Sequence, residues 1–177
     1  MSFLVAKAAG DIHIETTVSP SSNAQSSTGQ SNKTRIDQVA GVYVTNPGGT
    51  LVASAGNDVH LIGAILENKG QGGYTSVTAK HDLNLGTVTE RDSLIALLPG
   101  KAASASSSRE TGTTITTHGL TVLGAGNDIT ARQADVDAGS RLLVVNAGRN
   151  LDIVDGQPHL GSRRIGAVCR GRGTQSQ

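Results

Sequence analysis

Apolar and polar residues alternate along this chain in short runs, and each run restarts after a cluster of Gly, Asn or Asp. Ile12 and Ile14 flank His13, Val59 and Leu61 flank His60, Leu83 and Leu85 flank Asn84, and Leu151 and Ile153 flank Asp152. Upstream of these turns the same period of two recurs in Leu51, Ala53 and Ala55, in Leu120 and Val122, and in Leu143, Val145 and Ala147. Alternation of this kind, punctuated by turn residues, marks half-buried strands. No window offers a helical face of useful length, so the pattern predicts an all-β chain.

The runs are copies of one another. Ala9-Gly10-Asp11-Ile12-His13-Ile14 aligns with Ala55-Gly56-Asn57-Asp58-Val59-His60-Leu61, with Ala79-Lys80-His81-Asp82-Leu83-Asn84-Leu85, with Ala125-Gly126-Asn127-Asp128-Ile129-Thr130-Ala131, and with Ala147-Gly148-Arg149-Asn150-Leu151-Asp152-Ile153. The position held by Asp11, Asp58, Asp82, Asp128 and Asn150 advances by 47, 24, 46 and 22 residues, or two, one, two and one units of about 23. A unit of a few short strands cannot bury its inner face alone, but stacked coils can. The expected architecture is therefore a parallel β-solenoid of ~23-residue coils, about 4.8 Å apart. Its Gly-Asn-Asp corners are expected to supply left-handed backbone or side-chain-to-backbone bonds.

Two Ser/Thr-rich stretches, at about 16–34 and 89–111, are extra to the coil and start at equivalent places, just after a repeat strand. They read as loops or hairpins leaving the solenoid on one side, either as binding elements or as solvated decoration. The repeat segment is expected over 1–157. Residues 158–177 have lost the pattern and carry Arg163, Arg164, Arg170 and Arg172, which reads as a disordered or non-native basic tail.

Composition fits this picture. The aromatics are only Phe3, Tyr43 and Tyr74, charged residues make up 16% of the chain, and there are 23 glycines. Stacked aliphatic ladders leave little room for rings. The same scarcity of aromatics, with a net charge of +1, argues against a nucleic-acid platform. No apolar run approaches a membrane span. Cys169 is the one cysteine and can close no internal disulfide. Met1 to Lys7 lacks the apolar core of a signal peptide, so any export signal is expected outside this chain, which reads as a fragment.

Candidate chemistry is sparse. Gly124-Ala125-Gly126 begins like a dinucleotide loop, but it is a repeat corner that lacks the third glycine and the following helix. The Asp ladder invites a calcium reading, yet the nonapeptide glycine pattern that calcium-binding rolls use is absent, so a corner role is expected. His13, His60, His81, His118 and His159 form no spaced metal cluster. His13 and His60 take the same outward position but are expected two coils apart, about 10 Å, too far for a shared ion. No Gly-x-Ser-x-Gly elbow appears, and the carboxylates offer no pair suited to polysaccharide cleavage. The chain is accordingly expected to have no catalytic, cofactor-binding or metal-binding residues, and no cofactor.

The Ala-Gly-Asn-Asp corners followed by a strand, together with Val145-Asn146-Ala147-Gly148-Arg149-Asn150-Leu151-Asp152-Ile153, resemble the haemagglutinin repeats of filamentous haemagglutinin-type exoproteins. The Ser/Thr-rich excursions after Asp11-Ile12-His13-Ile14-Glu15 and Asp82-Leu83-Asn84-Leu85-Gly86 are similar to that block as well, and the resemblance covers roughly residues 3–155. It implies a right-handed parallel β-helix, a secreted or cell-surface location, and export by two-partner secretion through an outer-membrane transporter. It implies a non-catalytic adhesive segment of a larger exoprotein. The alternative it implies is the stalk of a contact-dependent growth inhibition toxin whose effector lies elsewhere.

Overall fold

The alternating runs are strands, visited in a fixed rotation. The computed structural model describes residues 2–98 and 101–155 and the dipeptide Val168–Cys169, and among these there is no helix. The first unit contains β1 (Phe3–Ala8), β2 (Ile12–Glu15), a hairpin of β3 (Thr17–Ser26) and β4 (Gly29–Gln38), and β5 (Gly41–Val44). The second has β6 (Thr50–Ala55), β7 (Val59–Ile62) and β8 (Ile65–Asn68). The third repeats the first: β9 (Tyr74–Ala79), β10 (Leu83–Gly86), a hairpin of β11 (Val88–Leu98) and β12 (Lys101–Thr111), and β13 (Thr114–Thr117). The fourth has β14 (Leu120–Ala125), β15 (Ile129–Arg132) and β16 (Asp135–Asp137), and the fifth β17 (Leu143–Ala147) and β18 (Leu151–Val154).

Each unit gives its first strand to one parallel sheet, ordered β1-β6-β9-β14-β17-β19, where β19 is Val168–Cys169. Its second strand joins the sheet β2-β7-β10-β15-β18, and the last strand of each of the first four units joins β5-β8-β13-β16. Apart from β19, the basic tail expected over 158–177 lies outside the described residues.

Pairing is rung on rung: Ile12 beside Val59, Val59 beside Leu83, Leu83 beside Ile129, and Ile129 beside Leu151. Neighbouring strands in the sheet are thus neighbours in the repeat. The long intervals are single steps that contain a hairpin, which corrects the expectation that they span two coils.

The inner ladders follow from the register. Ile12, Val59, Leu83, Ile129 and Leu151 stack in one sheet, and Ala8, Ala55, Ala79, Ala125 and Ala147 in another. Val42, Leu66, Ile115 and Val136 stack in the third. One core cluster draws on all three sheets, including Leu51, Leu61, Leu66, Leu83, Ile115 and Leu123. Each such side chain contributes about 1.5–3 kcal/mol on burial. The aromatics lie outside it: Phe3 is 69% exposed, Tyr43 52% and Tyr74 37%.

One stretch reads differently from its alternation. Leu120 and Val122 point outward, while Thr121, Leu123 and Ala125 are buried. Thr121 stands beside Thr75, and Thr75 beside Leu51, so the inward row crosses polar residues that a hydrophobic count passes over. The Thr121 hydroxyl is satisfied within the interior by that of Thr117. Nearby Asn68, 1% exposed, donates to the Gly49 carbonyl at 3.0 Å and accepts from the Gly70 amide at 3.1 Å. A buried amide is tolerated because both of its ends are paired.

The corners divide the two devices expected of one. At the Gly-Asn-Asp corner the glycine is there for close approach: a Cβ on Gly56 would lie 2.0 Å from the Ala9 carbonyl oxygen. Left-handed backbone occurs instead at other corners, including Gly63 (φ 57°) and its equivalent Gln133 (φ 47°).

Candidate functional site

The Asp ladder is a staircase of side-chain-to-backbone bonds. The Oδ1 of Asp11 accepts from the Asp58 amide at 3.2 Å, that of Asp58 from Asp82 at 3.0 Å, that of Asp82 from Asp128 at 3.1 Å, and that of Asp128 from Asn150 at 3.1 Å. Each carboxylate thereby ties its own turn to the next one, where the chain has left one strand and not yet begun another. Asp128 also pairs with Arg149 at 3.0 Å. This is corner work, done by the residues that the repeat singles out. Among the described residues no three His, Cys, Asp or Glu side chains gather as a metal site.

His13 and His60 are a correction. They are directly paired across β2 and β7, and their ring centroids lie 4.5 Å apart with the planes inclined at 35°. The distance expected from two coils was too long because the hairpin, not a further coil, fills the interval. His81 sits at the corner, where its amide donates to the Asn57 carbonyl, and His118 precedes β14, where its amide donates to Asn68. His159 lies outside the described residues.

The two insertions are hairpins, and they meet. β11 pairs antiparallel with β4, from Arg91 beside Thr34 to Ala96 beside Gly29, giving a four-stranded sheet β3-β4-β11-β12. The first hairpin reaches Gln38, four residues beyond the expected boundary at 34. Buried threonines close the bases. Thr16 donates to the Gly63 carbonyl at 2.6 Å and accepts from the Ala40 amide, while Thr113 donates to the Leu61 carbonyl at 2.6 Å.

Spacing explains the meeting. A hairpin is two strands wide, about 9.6 Å, and units one and three are separated by two strand spacings, also about 9.6 Å. Hairpins in alternate units therefore tile edge to edge, with the hairpin-free second unit leaving the room. That signal was present in the sequence as insertions in every other unit. The pairing itself was missed, because polar Ser-rich strands carry no apolar stripe to announce it.

An ion pair marks the seam. Arg35 Nη2 donates to Asp92 Oδ2 at 2.8 Å, and Nη1 lies 2.7 Å from Oδ1. Hydrogen bonding to the guanidinium holds the Asp92 carboxyl below its ordinary 3.8, with desolvation working the other way. Glu90 accepts from the Ile36 amide at 3.2 Å. At the base, Arg132 of β15 pairs with Glu110 at 2.9 Å.

The hairpin sheet has two unlike faces, since directly opposed residues share a side. One carries Asn23, Asn32, Ser93 and Ser106 in a row, with Gln25, Gln30, Ile95 and Ser104 beside it. The other carries Ala24, Ser31, Leu94 and Ala105, and Leu94 is 51% exposed. Comparisons with protein-family models, curated proteins and solved structures find no match for this chain.

Proposed function

We propose that the chain is a rod segment of a large secreted bacterial exoprotein, a right-handed parallel β-helix that presents its hairpin sheet for attachment to another cell. The observation carrying this reading is the fixed rotation of strands through three parallel sheets, with the hairpins set on alternate units. Parallel strands joined by crossovers favour the right-handed path, in keeping with the haemagglutinin-repeat resemblance. The segment itself is non-catalytic in this reading; transport would fall to an outer-membrane partner acting on the parent protein, and the location is the cell surface.

The second unit, which has no hairpin, supplies the test. Gly63-Ala64 joins β7 to β8 directly. Replacing residues 16–40 and 87–113 each by Gly-Ala makes units one and three resemble unit two. The labelled full chain is expected to bind intact cells, and the variant to keep its β circular dichroism and cooperative unfolding but lose that binding. A folded variant that binds as well as the parent chain would remove the hairpins from the adhesive role. Absence of binding by the parent chain to a panel of bacterial and animal cells would remove the adhesive reading altogether.

A further inference from the structure

In the second sheet β2 pairs with β7 in parallel, and alternate side chains of the two strands point to its outer face. Across that join stand His13, exposed, and His60, half-buried, with ring centroids 4.5 Å apart. Their backbones are fixed by the flanking rungs Ile12 beside Val59 and Ile14 beside Leu61, whose β7 members are fully buried. We propose that His13 and His60 form a chelating pair for a borderline divalent transition ion such as zinc, which would clamp β2 to β7.

Imidazole nitrogens suit such ions, at about 2.0–2.1 Å for zinc. Two side chains anchored one strand spacing apart, about 4.8 Å, reach a common ion by small rotations about their own bonds, and water fills the remaining positions. Because the histidines are 47 residues apart in sequence, the site exists only in the folded chain. An ion bound there therefore stabilises the native state by mass action.

The test uses the full chain with zinc sulfate as the probe, reading stoichiometry by equilibrium dialysis and protection by amide hydrogen exchange. One zinc is expected per chain. Exchange at Ile12–Glu15 should slow on addition of zinc, and the unfolding midpoint should rise by about 5–10 °C at a hundredfold excess over the dissociation constant. His13→Gln and His60→Gln, both on the outer face, should fold normally and each weaken binding at least tenfold. His81→Gln, His118→Gln and Cys169→Ser should bind as the parent does. The proposal is overturned by a parent chain that takes up no zinc, by variants at His13 and His60 that bind unchanged, or by zinc that protects amides elsewhere but not those of β2.

Discussion

The three parallel sheets and the projecting hairpin sheet are both β-structure, yet they are held by different means. In the parallel sheets β1, β2, β5 to β10 and β13 to β18 send alternate side chains toward a shared aliphatic core, where Val59, Leu61, Leu83 and Ile115 lose nearly all contact with water. In the hairpin sheet both faces meet solvent over most of their length, and β3 is exposed at all but one of its ten positions. Its order rests on the backbone ladder, on the seam between Arg35 and Asp92, and on threonines at its bases. Burial fixes register wherever one face must be apolar, so the body is specified by hydrophobic pattern. The hairpin sheet is specified by the distance between its roots.

The contrast can be broken first where it is strongest. Val59→Asp places an unpaired charge at a position with 0% exposure and is expected to cost about 4 kcal/mol or more, read as loss of the urea transition. Leu94→Asp in the hairpin sheet should leave that transition in place. A similar loss at Leu94 would mean that the two regions share one core. Asn68→Ala strands the buried partners of the amide and is expected to cost about 2–3 kcal/mol, a polar counterpart within the body. Asp58→Ala removes one step of the staircase, with about 1 kcal/mol expected from a single hydrogen bond and faster amide exchange confined to the corner at Asp82.

A gain is expected at Gln133. It holds a left-handed φ of 47° where its equivalent is Gly63, and its Oε1 is buried without a partner. Gln133→Gly should raise stability by about 0.5–1 kcal/mol, measured by the same urea transition. The smallest global effect is expected at the seam. Arg35→Ala should leave the midpoint of unfolding in place while amide exchange quickens in β4 and β11. The sign with pH follows from the direction of the Asp92 shift. Its folded pKa is depressed, so the contribution of the pair is complete above the ordinary carboxylate value of 3.8 and is lost as pH falls below that, through the lower folded value. Protection of the seam amides, taken relative to their intrinsic exchange rates at each pH, should therefore fall only in acid, and Arg35→Ala should remove that dependence.

Much of the body is legible in the residues themselves. Ile12, Val59, Leu83, Ile129 and Leu151 align by eye, and they are one ladder. The Asp residues that mark the repeat are the ones that tie its corners. Legibility fails where the inward row turns polar, as at Thr75 and Thr121, because a hydroxyl satisfied inside looks like one left outside. It fails again at His13 and His60, where an interval of 47 residues reads equally as two coils or as one coil and a hairpin.

Pattern alone determined strands, a repeat and inner aliphatic ladders, because burial selects side chains locally and a stack imposes the same selection on every copy. Only the tertiary structure decided which copies touch. Adjacency across the sheets depends on where each excursion returns to its parent strand, and that is a property of the path through space. The histidine pair and the joined hairpins both arise from that path.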